Sequence, residues 1–407
     1  MAAEGLLGRD GNDQRRYLER AVSGTRRDAE RELARLVVEV DDGRHVASAP
    51  MTFGELLDRW LALKATTVEA TTVEGYRWIV ERYARLTFGD RKVASIRTLE
   101  LDDWYQSLRS SGGAGGRPLS GRTVRICHTV MRQSLDQARK WGLIARNPAI
   151  DATPPSAARV EVSPPTVEQV RVLLASAFEF DPDFGVYLWV LASTGCRRGE
   201  GCALRWRDVD WERGQLAIRR SIAMAGGKPI DKDTKTHQSR RVSLDDSTME
   251  LLREHRRRSR ERGLLCGVAL PDDAFLFSET ADYSRPWRPD VCTNWFGRLR
   301  AELGLTSVRL HDVRHFVATS LGNAGTPVAT ISARLGHRDK ATTVSQKILC
   351  AAGARAKQRS VRSRWPGFDL ARREQITDPI GRGIVGESDR LLRTFFKLVD
   401  NDSCALV

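Results

Sequence analysis

Five prolines fall within NPAIDATPPSAARVEVSPP, Asn147 to Pro165, and no other stretch constrains the folding of this chain as strongly. Each proline fixes its own φ and withdraws a backbone donor, so neither a helix nor a central strand can run through the segment. It reads as a linker, residues 151–165, between regions that fold separately. A chain of 407 residues has room for two or three domains, each with its own core.

Upstream of the linker the apolar spacing is helical. In QRRYLERAVSGTRRDAERELARLVVEV, Leu33, Val37 and Val40 recur at helical intervals once Gly24 and Thr25 have passed. The density of arginine leaves two readings of residues 1–50. One is a solvated helix laced by i,i+4 charge pairs; the other is an accessory arm for an anionic partner. MTFGELLDRWLAL predicts a helix capped by Thr52, with Glu55 in the capping-box position. TTVEGYRWIVERYARL predicts a second, with Tyr76, Ile79, Tyr83 and Leu86 as its buried stripe. The Gly-rich loop SSGGAGGRPLSGR leads to a third, longer helix within TVRICHTVMRQSLDQARKWGLI. Residues 51–150 are expected to form a compact all-helical domain.

From Thr166 the pattern changes. Helices surround a short insert in which GQLAIRRSI and SRRVSL read as strands flanking the polar turn AGGKPIDKDTKTHQ. The expected fold class is mainly α with a small antiparallel β-sheet: a helical domain, then a mixed α/β domain over residues 166–362. Residues 363–407 carry the apolar run LLRTFF and no further pattern that can be interpreted.

Composition narrows the partner. Lys and Arg number 66 against 52 Asp and Glu, a formal net charge of +14. That balance favours an anionic partner, nucleic acid first, because basic side chains release the counterions condensed on phosphates. Solubility alone is the plainer explanation. Seven scattered cysteines without a C-x-x-C pair argue against a disulfide framework or a structural zinc, and for a reducing cytosol. No signal-like start and no bilayer-length apolar run is apparent, so a cytoplasmic protein with no membrane partner is expected.

Polar, phosphate-friendly residues concentrate in STGCRRGEGCALRW, DTKTHQSRRVSL, RLHDVRHFVATSL and ISARLGH. Singly, each has a dull explanation. Arg197 fits a surface charge after a glycine turn, Lys235 a solvated lysine at a hairpin tip, and His337 a cap after Gly336. His311, Arg314 and His315 share one helical face, which suits a satisfied polar patch. HDVRH also places two histidines at the i,i+4 spacing of zinc proteases. Here, however, Asp312 takes the glutamate slot and Arg314 stands between the would-be ligands, where a fixed cation opposes a dication. No metal and no cofactor are expected.

Together the four stretches resemble the tyrosine recombinase (phage integrase) family. Its T-G-x-R-x-(G/S)-E motif is matched by Thr194, Gly195, Arg197, Gly199 and Glu200, followed by ALRWRDVDW. Lys235 matches the lysine of T-K-T-x-x-S-R-R; His311, Arg314 and His315 match H-x-x-R-H; and Leu335, Gly336 and His337 match L-G-H. The resemblance implies a core DNA-binding domain over 51–150, a recombinase catalytic domain over 166–362, and a partial arm-binding segment over 1–50. It implies site-specific cleavage and rejoining of double-stranded DNA, as four protomers on two duplexes, with an accessory DNA-bending protein as a further partner. By the same resemblance Arg197 and Arg314 brace the nonbridging oxygens, His311 and His337 donate hydrogen bonds, and Lys235 protonates the departing 5′-oxygen. Glu200 and His315 are supporting residues, Glu200 by orienting the first motif.

The nucleophile is missing. The family pattern T-T-x-x-x-Y, aligned on Thr342 and Thr343, puts Lys347 where tyrosine belongs, and Gln346, Ile348 and Leu349 offer no replacement. Ser345 lacks a placed base, and a lysine is ordinarily protonated. The last tyrosine, Tyr283, lies in the polar loop ADYSRPW and is expected to be a surface aromatic. Two accounts remain: a degenerate protein that binds DNA without the covalent link, or a changed reading frame after Thr343, which the abrupt end of the match favours. The alternative function is a non-catalytic binding protein at recombination sites. TPVATISARLGHRDKATT can be read as two short helices around a turn, as in helix-turn-helix repressors, although packing within the larger domain is the plainer account.

Overall fold

The computed structural model describes residues 2–9, 15–21, 24–41, 51–156, 164–233 and 239–336. The tail, 363–407, lies outside them. The chain divides into two compact units, residues 1–159 and 160–407.

The first unit begins with an antiparallel hairpin of β1 (Ala2–Arg9) and β2 (Arg15–Ala21), which the apolar spacing did not suggest. Helix α1 (Arg26–Asp41) carries Leu33, Val37 and Val40. Helix α2 (Phe53–Thr67) has the expected capping box: Glu55 N–H donates to Thr52 Oγ1 at 3.3 Å, and Thr52 N–H to Glu55 Oε2 at 2.8 Å. Helix α3 (Ala70–Ile79) runs through a π-helical turn, Val80–Ala84, into α4 (Arg85–Phe88). Here the expected stripe breaks. Ile79 and Tyr83 are buried and Tyr76 half-buried, but Leu86 is 77% exposed. The wide turn adds a residue, so every later position rotates by about 100° and Phe88 enters the core in place of Leu86. Helices α5 (Thr98–Ser111) and α6 (Gly121–Lys140) complete a core around Phe53, Trp60, Tyr105 and Met131. Asn147 ties the chain back to α6: its Nδ2 donates to the Arg132 carbonyl at 2.9 Å, and its Oδ1 accepts from Ala149 N–H at 2.9 Å.

The second unit is built round one helix. Asp181 ends α7 (Val167–Phe180) and caps α8 (Pro182–Thr194), accepting from Phe184 N–H at 2.8 Å. A helix apolar on all sides belongs in an interior, and α8 is buried from Phe184 to Thr194. After the short α9 (Arg198–Cys202) come β3 (Val209–Asp210), β4 (Gln215–Ile218), β5 (Arg220–Ala225), β6 (Lys228–Asp233) and β7 (Arg240–Ser243). Strands β3, β4 and β7 form one antiparallel sheet in that order, and β5 with β6 a separate hairpin. The stretch expected to be a polar turn therefore contains a strand. Gly226 and Gly227, at φ 59° and 69°, make a two-residue turn whose twist suits a hairpin, and this lets the exposed KPIDKD pair with β5.

Helices α10 (Asp246–Leu265), α11 (Pro289–Glu302), α12 (Asp312–Asn323) and α13 (Val328–Leu335) follow. Ile331 and Leu335 of α13 belong to the core of this unit, which favours packing over a free repressor-like helix for the described part of that stretch. Tyr283 is not a surface aromatic. It is 5% exposed at φ 57°, with its ring centre 5.9 Å from the Arg262 guanidinium, because the loop folds inward and its carbonyl accepts from Phe275 N–H at 3.1 Å. Arg262 in turn pairs with Asp183 at the start of α8. Among the described residues no helix is long and apolar enough to cross a membrane.

Candidate active site

The site grows from the end of α8. Gly195 stops that helix in the left-handed region, at φ 68°, and an added Cβ there would meet Leu335 Cδ2 at 2.5 Å. Arg197 then caps α9. Glu200 accepts from the Arg197 backbone N–H at 2.8 Å and from its Nη1 at 2.7 Å. Arg240, on β7, donates to the same carboxylate from Nη2 at 2.6 Å and Nη1 at 3.3 Å. Glu200 is 1% exposed. Burial pushes its pKa up, but the Arg240 hydrogen bond and charge, with Arg197 behind them, outweigh burial and hold it at about 2.

Arg314, in the first turn of α12, is buried; its Nη1 donates to the Gly195 carbonyl at 2.7 Å and its Nη2 to the Leu335 carbonyl. Burial first, then the charge of Arg197, push its pKa down to about 9, so it stays a cation at neutral pH. His311 stands at the start of α12 with its ring perpendicular to that of His315, centroids 5.0 Å apart. His311 is exposed to solvent. Desolvation by the groups around it, followed by His315 and Arg314, lowers its pKa from 6.5 to about 4; the exposure tempers the first cause, but the neighbouring positive charges act in the same direction. His315 is lowered too, by burial first. Both imidazoles are neutral at pH 7.

The C-terminal end of α13 closes the arrangement. Three consecutive carbonyls accept from three guanidiniums: Arg334 from Arg240 Nε at 2.8 Å, Leu335 from Arg314, and Gly336 from Arg197 Nη2 at 3.2 Å. The last carbonyls of a helix lack partners within it and carry the negative end of its dipole, and the arginines meet both needs. Two guanidiniums, Arg197 and Arg240, thus share the carboxylate of Glu200, and the third, Arg314, feels its charge from carbonyl partners, in a largely buried cluster with excess positive charge. Arg197, its side chain 27% exposed, is the member that reaches solvent. Such an arrangement suits an oxyanion: fixed donors, excess positive charge and neutral imidazoles beside them.

Of the residues singled out in the sequence, Arg197, Glu200, His311, Arg314 and His315 come together here; Lys235, His337 and Lys347 lie outside the described residues. Sequence reasoning missed Arg240 and Arg334, whose Nη2 donates to the Ser193 carbonyl at 3.0 Å. One signal existed for Arg240. It alternates with the buried Val242 on a short strand, and a charge on the inward face of a strand needs a partner.

The profile of the Phage integrase family matches residues 170–346, and that of the phage integrase N-terminal SAM-like domain matches residues 52–109. Residues 170–346 form a phage integrase family domain. The integrase match ends at Gln346, one residue before Lys347. Among relatives, the tyrosine recombinase XerC-like protein of Caldanaerobacter subterraneus is 25% identical over 361 residues, 83% of this chain and 89% of that one. The ICEBs1 integrase of Bacillus subtilis is 25% identical over 326 residues, 80% of this chain and 86% of that one. The fold is that of the Tn1549 transposon integrase, solved in complex with transposon right end DNA: TM-score 0.61 at 18% identity, covering 76% of this chain and 99% of the other.

Proposed function

We propose that this chain is a DNA-binding protein of site-specific recombination, whose domain of residues 166–362 holds the scissile phosphate of duplex DNA. The observation that carries the reading is that Arg197 and Arg240 converge on the single buried carboxylate of Glu200 while Arg314, held by the Gly195 and Leu335 carbonyls, feels the same carboxylate without bonding to it, which leaves a cation excess that a phosphate would relieve. In-line attack on a phosphodiester builds charge on the nonbridging oxygens. Arg197 and Arg314 would brace those oxygens with the donors that the carbonyls and Glu200 leave over, in a fork that lysine does not reproduce. Neutral His311 would donate one N–H, and His337, by the family resemblance, another. Lys235 would protonate the departing 5′-oxygen as general acid. Glu200 and His315 would hold this set in place, and nothing in the scheme calls for a metal or cofactor.

Residues 51–150 would grip the duplex. Arg125, His128 and Arg132 of α6 line a polar groove of about 530 Å³, with both arginines exposed. Residues 1–50 would act as a partial arm and 151–165 as the linker. By family resemblance the working assembly is four protomers on two duplexes in the cytoplasm, with an accessory bending protein.

The chain as written would bind without cutting, because Lys347 stands at the tyrosine position. Tyr283 is no substitute: it neighbours Arg262 and Asp183 at the start of α8, whereas Arg197 lies beyond its end, roughly 20 Å of helix away. These facts favour the non-catalytic reading for the present sequence, and the coding DNA past Thr343 separates degeneration from a frame change. A pool of nicked duplexes of randomised sequence tests the scheme. The unaltered chain should give no covalent adduct, Lys347→Tyr should give one, and adding Arg314→Ala should abolish it. An adduct from the unaltered chain sinks the scheme, as does duplex binding indifferent to Arg197→Ala and Arg314→Ala.

A further inference from the structure

We propose that Arg240 is a positioning residue: without touching the phosphate, it sets Arg197 and the carbonyl end of α13 in one fixed geometry. The inference rests on the phosphate-site reading above. Arg240 is 7% exposed in its side chain, too enclosed to meet DNA. Its three nitrogens are all committed, Nε to the Arg334 carbonyl and Nη1 and Nη2 to Glu200. One planar group therefore ties three pieces of chain together: β7, the carboxylate that also holds Arg197, and the end of α13.

The fit is close. A Cβ on Gly336 would stand 3.0 Å from Arg240 Nη1, so glycine there answers to this guanidinium as well as to φ 64°. His337 follows Gly336 directly, and Lys235 precedes β7 by five residues. In sequence, the link is therefore flanked by the two residues to which the family resemblance gives a part in the chemistry. A lysine could keep the charge beside Glu200, but one ammonium lacks the planar fork that reaches Glu200 and the Arg334 carbonyl together. Geometry and charge are therefore separable by substitution.

The test uses the full chain, with inorganic phosphate as probe and the His311 C2 proton followed by NMR, its signal assigned by loss in His311→Gln. In the unaltered chain, phosphate should shift the signal and raise the imidazole pKa. Arg240→Lys conserves charge, so a purely electrostatic or structural role leaves the His311 pKa and phosphate affinity unchanged. Positioning requires the free His311 pKa to move by about half a unit or more and phosphate affinity to fall about tenfold. Gly336→Ala crowds the same contact from the other side and should give the same signature, with the double variant no worse than either single one. Val317→Ala, a core change chosen to match the loss of thermal stability, should leave both readouts alone. Rescue by lysine, additive losses in the double variant, or the same signature from Val317→Ala overturns the inference. If the unaltered chain ignores phosphate, the functional reading fails, while the response of the free His311 pKa to Arg240→Lys still decides the positioning role.

Discussion

The two units carry their arginines in opposite ways. On α6, Arg125 and Arg132 stand exposed along an open groove, while neighbouring Arg139 and Lys140 share Asp136 in ordinary surface ion pairs. In the second unit, the Arg240 and Arg314 side chains are buried and that of Arg197 is partly exposed, each held by carbonyls or by Glu200. Exposed arginines can adapt to a backbone whose sequence varies, at little cost to the fold. Buried ones have been oriented before any ligand arrives, and folding has already met the cost of desolvating them. On the proposed reading, one unit would grip DNA and the other would hold a single phosphate.

The sharpest way to break that contrast is Glu200→Gln. It removes the one carboxylate from among three guanidiniums, and uncompensated buried charge should cost about 4 kcal/mol in urea unfolding. The acid limb should change with it. The pKa of Glu200 is about 2 when folded against an ordinary 4.5, so its contribution is complete above 4.5 and is lost as pH falls towards 2. The variant should lose the part of the acid transition that lies in this window. Arg314→Ala should cost less, about 2 kcal/mol, although it orphans the Gly195 and Leu335 carbonyls, because it also relieves repulsion from Arg197 and Arg240. A cost for Arg314→Ala above that of Glu200→Gln would mean the cluster is held by packing and not by charge.

Much of the second unit was legible because chemistry and spacing coincide. The glycine turn before Arg197 and the i,i+3 and i,i+4 spacing of His311, Arg314 and His315 are local features, and local features survive in a sequence. Arg240 was harder to see. Its partners, Glu200 and Arg334, lie 40 and 94 residues away, and no periodicity links them. Tyr283 misled for a related reason: its polar neighbours face outward while the ring turns into the core. In the first unit, capping chemistry located α2, but an inserted residue in a helical turn leaves no mark that spacing can detect.

Affinity offers a gentler comparison. Arg125→Ala and Arg132→Ala should each weaken duplex binding about three- to tenfold, reduce the salt slope by about one, and leave the melting temperature unmoved. The imidazoles should add a pH dependence, to which His128 in the α6 groove, its pKa lowered by burial and then by Arg132 and Arg125, contributes beside those of the second unit. His311 and His315 have lowered pKa values partly because cations surround them, and a bound phosphate would offset those cations. Binding then takes up protons, so affinity should rise as pH falls from 7 towards 5, and His311→Gln should flatten the trend. Affinity that falls with acidification would place the phosphate elsewhere.

The smallest expected effect discriminates between sequence pattern and structure. A regular helix through Tyr76, Ile79, Tyr83 and Leu86 would bury the leucine, and a polar replacement there would cost at least about 2 kcal/mol. The π-helical turn at Val80–Ala84 instead leaves Leu86 77% exposed and turns Phe88 inward. Leu86→Gln should therefore change unfolding stability by less than about 0.5 kcal/mol, as exposed substitutions do. Phe88→Ala should cost about 3 to 5 kcal/mol, since it empties a buried aromatic site beside Phe53 and Trp104. Equal costs at the two positions would restore the regular helix. The domain would then present a different face of α3 and α4 to its surroundings.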